Sequence, residues 1–166
     1  MKMILNLFIL FIFNTMFRWV FRPAESFTVN GVPVHIWTGK YAKWRMKMMG
    51  GHRYMAFVRT LTKWVSVNAP DGRVNMAIVL HEVAHITYPP AGGDVHGDIA
   101  HKGKGHRSEH QADRYAVDTC LKKLPRDKAM KEIRDMCFGT IVWSSDGQYR
   151  INLIRRYLRR YYSIEL

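Results

Sequence analysis

The chain has 166 residues, with 26 Lys and Arg against 13 Asp and Glu, so its formal net charge is +13 at neutral pH. This length suits one domain that buries a core without cross-links, and two cysteines are too few for a disulfide scaffold. The positive charge favours an anionic partner, either a membrane surface or, as a weaker alternative, nucleic acid, and does not bear on the fold.

The chain begins with an apolar segment. Residues 3–17 carry no charge and lie between Lys2 and Arg18. As a helix they would span about 22 Å, less than the hydrocarbon core of a bilayer at about 30 Å, and extension through the next four residues would bring the length close to it. We expect residues 1–22 to form a membrane anchor or an interfacial helix, whose orientation the flanking positive charges leave open. A start at Met16 would delete the segment, and the alternative localisation is cytoplasmic.

Strand signals follow this segment. The β-rich runs are residues 27–29, 32–37, 54–59 and 63–68. Asn30-Gly31 separates the first two runs and suits a two-residue hairpin turn, so we predict a hairpin and a small sheet. Residues 40–53 lie between the hairpin and the later runs and predict a helix with a solvated basic face.

The strongest motif is His81-Glu82-Val83-Ala84-His85, in a segment whose apolar residues recur at helical spacing. Pro70-Asp71-Gly72 predicts a turn before this helix, and Pro89-Pro90 predicts its end. Histidines four residues apart lie on the same face of a helix, so their imidazoles could bind one zinc ion together. Glu82, which lies between them, is the candidate general base.

A catalytic zinc site needs a third protein ligand and one open position. Glu109 is the candidate, because residues 109–124 predict a second amphipathic helix on which Glu109 and Asp113 share a face. Glu109 could then bind the metal while Asp113 accepts a hydrogen bond from the imidazole of His81. Ser108 begins a capping-box pattern, and such a cap would by itself explain acidic residues in a first helical turn.

The stretch between the two motifs, residues 89–108, is rich in glycine and contains His96, His101 and His106. Loops of this length inside compact domains are usually functional or disordered, so this one could cover the site as a lid. His96 is the alternative third ligand, and Glu109 would then be structural. The other two loop histidines and His110 are further alternatives.

The C-terminal part predicts more helices. Residues 127–138 read as a helix, residues 140–143 as a short strand or connector, and residues 148–162 as a last helix. In that last helix an apolar side that includes Tyr161 is set against five arginines: Arg150, Arg155, Arg156, Arg159 and Arg160. Arginines beside tyrosines could contact anionic lipid or nucleic-acid phosphate, and a solvated helix face explains the pattern equally well.

The motif His81-Glu82-Val83-Ala84-His85, followed by Glu109, Ala112, Asp113 and Ala116, resembles the gluzincin branch of zinc metallopeptidases, such as the HtpX-like and ImmA/IrrE-like peptidases. The resemblance covers about residues 50–120. It implies an α+β fold for residues 23–166, a zincin-like minimal metallopeptidase domain. A small sheet would pack on the helix of the first motif and on a second ligand helix, with extra C-terminal helices. It also implies that an edge strand of the sheet holds an extended peptide beside the metal. The His96-Gly97 pair instead resembles SprT-like proteases, where such a histidine is the third ligand, and would point to DNA.

These residues lead us to expect zinc-dependent hydrolysis of peptide bonds in a protein or peptide substrate. A zinc ion held by His81, His85 and Glu109 would lower the pKa of its water, and Glu82 would pass a proton from that water to the leaving amine. The developing oxyanion needs a second donor. The candidates are Tyr88, Tyr115 or a histidine of the loop.

Two other classes of protein are compatible with the same residues. In the first, Glu109 and His96 both bind zinc together with the two motif histidines, which makes a structural site with no open position. In the second, the zincin core has no activity. Either protein would be a non-catalytic basic zinc-binding adaptor for a membrane or for nucleic acid.

Overall fold

The computed structural model describes Ile12 and residues 22–57, 62–88 and 104–166, with the backbone alone for residues 104–108. Over these residues the fold is α+β, as predicted, with one mixed four-stranded sheet and five α-helices. The chain divides into two compact units, Met1–Val74 and Asn75–Leu166. Each unit is described by itself. The predicted N-terminal segment lies, apart from Ile12 and Arg22, outside the described residues, so the anchor and its boundary at residue 22 stay predictions.

The first unit contains the sheet and one helix. Its elements are β1 (Glu25–Val29), β2 (Val32–Thr38), α1 (Gly39–Met48), β3 (Tyr54–Phe57) and β4 (Trp64–Ala69). The strands lie in the order β1-β2-β4-β3, with β2 and β4 parallel and both outer pairs antiparallel. The predicted hairpin is confirmed. Asn30 and Gly31 have φ values of 48° and 78°, and a two-residue turn with positive φ at both positions matches the twist of the strands it joins.

One residue of α1 departs from the prediction of a solvated basic face. Arg45 is only 1% exposed. Its guanidinium donates to Asn68 Oδ1 and to Ser66 Oγ, each at 3.2 Å, and lies 3.6 Å from the centre of the Trp37 ring. Arginine tolerates such burial because its planar, weakly hydrated head can stack on an aromatic ring while its N–H groups reach neutral acceptors. The helix predicted over residues 40–53 is present but ends at Met48, and its basic side is partly internal.

The second unit is helical in its described residues. Its elements are α2 (Met76–Thr87), α3 (Lys104–Lys123), α4 (Arg126–Gly139), a 3-10 turn (Ile141–Trp143) and α5 (Gly147–Tyr162). All four predicted helices of this region are present, and residues 140–143 are a connector and not a strand. The cap predicted at Ser108 is wrong, because α3 begins at Lys104 and Glu109 lies in its second turn. Cys120 and Cys137 are buried free thiols in the core, and burial raises the pKa of each to about 12.

The N-terminus of α2 is held by α4. Asn75 caps the helix, since its Oδ1 accepts a hydrogen bond of 2.9 Å from the backbone N–H of Ile78. Glu132 of α4 adds a second cap, with its Oε2 accepting from the N–H of Met76 at 2.7 Å. The Asn75 amide in turn donates to the Glu132 carbonyl oxygen at 3.0 Å. The helix that carries the two motif histidines is therefore fixed at its start.

Helix α5 is fastened to α3. The hydroxyls of Tyr157 and Tyr162 donate to the carboxylate of Asp118 at 2.8 and 2.6 Å. Tyr161, which we placed on the apolar side, is instead 61% exposed. Gly147 permits the close approach at the start of α5, because a Cβ there would lie 2.1 Å from the carbonyl oxygen of Ile141. Two of the three tyrosines thus serve packing within the unit.

In the described part of the chain, no helix combines the length and the hydropathy that crossing a membrane requires. This finding covers residues 22–57, 62–88 and 104–166 together with Ile12. The apolar residues that suggested an anchor fall almost entirely outside these ranges. Membrane association through residues 3–21 therefore stays a prediction.

Candidate metal centre

The histidines of α2 face each other across one helical turn. His81 and His85 are buried, with 7% and 4% of their surface exposed, and their Nε2 atoms are 3.1 Å apart. The rings meet edge to face, with centroids 4.7 Å apart. Two unprotonated nitrogens at this distance would repel each other, so the pair needs a proton or a cation between them.

Helix α3 brings Glu109 to the same point. Its Oε2 lies 3.3 Å from Nε2 of His81, and its Oε1 lies 3.3 Å from Nε2 of His85. One donor atom from each of the three residues can be chosen so that all lie within 4.8 Å of one another. Donor atoms bound to one tetrahedral zinc ion at about 2.0–2.1 Å lie about 3.3 Å apart. The spacing of the three side chains therefore fits a single metal ion of this size.

Asp113 lies one turn after Glu109 and contacts the far side of His81. Its Oδ1 is 2.9 Å from Nδ1 of His81. A carboxylate at this distance favours a proton on Nδ1, and the lone pair of a neutral imidazole then lies on Nε2, the nitrogen nearest to His85 and Glu109. The structure thus brings together the four predicted residues that the metal hypothesis needs.

These contacts determine the charge state of the cluster without metal. Burial disfavours the charged form of His81, but its contacts with Asp113 and Glu109 outweigh burial and raise the pKa of His81 to about 10. Burial likewise opposes ionisation of both carboxyls, and their contacts with His81 lower the pKa of Glu109 and of Asp113 below the usual range. In the metal-free protein these contacts therefore favour the charged, doubly protonated form of His81.

Arg150 of α5 completes the cluster, and we did not predict it. It is 7% exposed, and its Nε and Nη2 donate to Oδ2 and Oδ1 of Asp113 at 2.9 and 2.7 Å. Its Nη1 lies 3.0 Å from Oε2 of Glu109. Burial lowers the pKa of Arg150, but the bonds to Asp113 outweigh it and raise the pKa. The sequence spacing could have predicted that Arg150 is buried. It precedes the buried Ile154 and Leu158 by four and eight residues and so lies on the apolar stripe of α5.

Glu82 carries a further buried carboxylate on the same helix as the two histidines. It follows His81 directly and is 7% exposed, in a helix whose other buried residues, apart from the two histidines, are apolar. At the cluster itself, with neutral imidazoles, Glu109 and Asp113 contribute −2 and Arg150 contributes +1, which leaves −1. Negative charge in a largely buried cluster is costly unless it is compensated. A proton or a metal cation would provide that compensation.

The remaining predicted participants are not placed at this cluster. His96, His101 and the predicted lid lie outside the described residues, and only the backbone of His106 is described, so their roles stay predictions. The ring of His110 contacts that of Tyr149, with centroids 5.4 Å apart. Tyr88 and Tyr115 contact each other edge to face at 5.5 Å, and the choice of an oxyanion donor between them also stays a prediction.

Comparison with known proteins adds no relative to these observations. No protein family, no curated protein and no solved structure matches the chain. The resemblance to gluzincins therefore depends on two short motifs. The structure adds one conclusion of its own: His81, His85 and Glu109 form a cluster that could hold a metal ion.

Proposed function

We propose that the protein is a zinc-dependent metallopeptidase with a zincin-like fold, in which His81, His85 and Glu109 hold the metal. The observation that carries the proposal is the convergence of three donor groups from two helices at mutual distances of 3.1, 3.3 and 3.3 Å. The net negative charge of Glu109, Asp113 and Arg150 beside neutral imidazoles adds to it, because it favours a cation at this point.

The donor set narrows the choice of metal. Two imidazoles and one carboxylate suit Zn²⁺, and they also suit Fe²⁺ in oxygenases. The buried Glu82 beside the ligands favours hydrolysis, because a carboxylate that does not bind the metal can act as a general base. We therefore assign zinc.

The residues of the chain have distinct tasks in this reaction. Bound Zn²⁺ would supply a Lewis acid that polarises the scissile carbonyl and lowers the pKa of water. Glu82 accepts a proton from the attacking water and returns it to the leaving amine. Asp113 keeps the proton of His81 on Nδ1, so that Nε2 stays available as a donor atom.

Metal content and proteolysis test this proposal. We expect about one zinc per chain in the purified protein, with zinc lost in Glu109→Ala and retained in Glu82→Gln. Glu82→Gln should lose cleavage of an unfolded protein substrate, because a neutral amide cannot accept the proton. Circular dichroism of each variant controls for folding.

Three outcomes would contradict it. Equal cleavage by Glu82→Gln would remove the assigned role of that residue, and an absence of zinc in the unmodified protein would remove the metal site. Retention of zinc in Glu109→Ala together with its loss in His96→Ala would replace the third ligand and favour the SprT-like alternative, in which DNA is the partner.

The partner of the basic surface is a separate proposal. Arg156, Arg159 and Arg160 of α5 are exposed, and the whole chain carries +13. We propose that this surface associates with anionic membrane lipid. The protein should sediment with phosphatidylserine vesicles, and this binding should weaken as salt is added. At the same salt concentration its affinity for the vesicles should exceed its affinity for duplex DNA. Stronger binding to DNA would favour the nucleic-acid alternative, and binding to neither would make the charge a solubility feature.

A further inference from the structure

Arg150 contacts both carboxylates of the candidate metal centre, and these contacts differ in kind. Two of its nitrogens hold the two oxygens of Asp113, whereas a third, Nη1, lies 3.0 Å from a single oxygen of Glu109, Oε2. We propose that Arg150 is a positioning residue that makes Glu109 a one-oxygen ligand and so keeps a coordination position free for water. This inference depends on the proposed function, because it concerns the same metal site.

The two oxygens of Glu109 have different surroundings. Oε2 is shared between Arg150 and Nε2 of His81, while Oε1 lies 3.3 Å from Nε2 of His85. A guanidinium nitrogen 3.0 Å from one carboxylate oxygen competes with a metal ion for that oxygen, because its positive charge already compensates the negative charge there. Oε1 is then the oxygen that a metal can take. A carboxylate that bound through both oxygens would occupy one more position and would leave less room for water.

The restraint is effective only if Arg150 is itself immobile. Its guanidinium is held by two hydrogen bonds to Asp113, at 2.7 and 2.9 Å, and the residue is 7% exposed on the apolar stripe of α5. Asp113 also contacts Nδ1 of His81, so one carboxylate orients both the arginine and a ligand imidazole. A lysine could supply the charge but not the two-point geometry, since an ammonium group is a point charge on a flexible stem.

The chain offers a matched control on the same pair of helices. Tyr162 of α5 donates to Asp118 of α3 at 2.6 Å, and both residues lie nearer the C-terminal end of their helix than Arg150 and Asp113 do. Tyr162→Phe removes one bond that fastens α5 and leaves Arg150 and its partners unchanged. This variant therefore shows what weaker docking of α5 on α3 does by itself, with the contact between Arg150 and Glu109 unchanged.

Cobalt substitution tests the proposal with a spectroscopic readout. Co²⁺ added to the metal-free full chain should give the intense visible bands of four-coordinate cobalt in the unmodified protein and in Tyr162→Phe. In Arg150→Lys and Arg150→Gln the bands per bound Co²⁺ should weaken at least about twofold, because additional oxygens enter the coordination sphere. Zinc binding in both variants should weaken by about 10- to 100-fold, the usual effect of losing a partner of a metal ligand.

The outcomes distinguish this inference from the proposed function. Unchanged cobalt spectra and unchanged zinc affinity in folded Arg150→Lys would overturn the positioning role while the metal site stands. The same spectral change in Tyr162→Phe would overturn it too, because helix docking would then explain the effect. Absence of Co²⁺ and Zn²⁺ binding by the unmodified protein would overturn both proposals. Arg150→Lys keeps the buried charge and decides the question if Arg150→Gln does not fold.

Discussion

Two buried arginines, one in each unit, have opposite surroundings. Arg45 of the first unit is 1% exposed, and its guanidinium meets neutral groups: the Asn68 amide, the Ser66 hydroxyl and the Trp37 ring. Arg150 of the second unit is 7% exposed and meets two carboxylates. Burial lowers the pKa of Arg45, whereas for Arg150 the bonds to Asp113 outweigh burial and raise the pKa.

The difference in their neighbours separates an arginine that joins two elements of the fold from one that belongs to a cluster of charged groups. An arginine over an aromatic ring with amide and hydroxyl acceptors joins a helix to a sheet, which is a structural task. An arginine between two carboxylates is part of a charge network, and that network also contains two imidazoles with nitrogens 3.1 Å apart. Burial of a charge by itself therefore does not distinguish the two arginines. The charges of their neighbours do.

The largest effect should come from Arg150→Met. The substitution removes the guanidinium from the buried Asp113 and the partly exposed Glu109, and removal of one member of a buried ion pair typically costs about 3–5 kcal/mol. Urea unfolding of the metal-free protein measures this loss of free energy of unfolding. A loss below about 1 kcal/mol would show that the carboxylates do not depend on the guanidinium, and the contrast between the two arginines would fail.

A smaller loss is expected for Arg45→Met. The partners left behind are neutral, and an unsatisfied buried polar group costs about 1–3 kcal/mol. The same urea experiment measures the change in the free energy of unfolding, with the fluorescence of the tryptophans near Arg45 as the signal. Zinc content should stay as in the unmodified protein, which serves as the internal control. A loss larger than that of Arg150→Met would reverse the comparison.

The smallest expected signal is a proton count. The pKa of His81 is raised to about 10, so at pH 7 both of its ring nitrogens carry a proton. A metal can bind Nε2 only after the proton on Nε2 leaves. Zinc binding at pH 7 should therefore release about one proton, and zinc affinity should increase as the pH rises toward 10. Calorimetry in two buffers with different ionisation enthalpies measures the release, and His81→Gln is the control.

The same pKa value predicts how the metal-free protein responds to pH. Because the pKa of His81 is raised above its usual 6.5, its charged contacts stabilise the fold fully below about pH 6.5, and this contribution is lost as the pH rises toward 10. The lowered pKa values of Glu109 and Asp113 act at the other end, where stability is lost as the pH falls through the acid range. A free energy of unfolding that increases from pH 7 to pH 10 would contradict the assignment of the proton to His81.

Much of the second unit could be predicted, because its helices have regular local patterns. The apolar spacing before Pro89 located α2, and the spacing after Glu109 located most of α3. The start of α3 could not be predicted in the same way. The pattern at Ser108 matches a capping box in sequence, but the helix continues four residues further toward the N-terminus. A helix end depends on what surrounds it as well as on its own residues.

The sequence by itself determined which side chains share a helix face. His81 lies one turn from His85, and Glu109 lies one turn from Asp113, because residues four apart are neighbours on any α-helix. Only the tertiary structure decided that these two faces meet with their donor atoms 3.3 Å apart. It also decided that Arg150, which is 37 residues from Asp113 in the chain, supplies their cation. Contacts between distant segments follow from how helices pack, and helix packing depends on the shape of the whole core and not on the spacing of a motif.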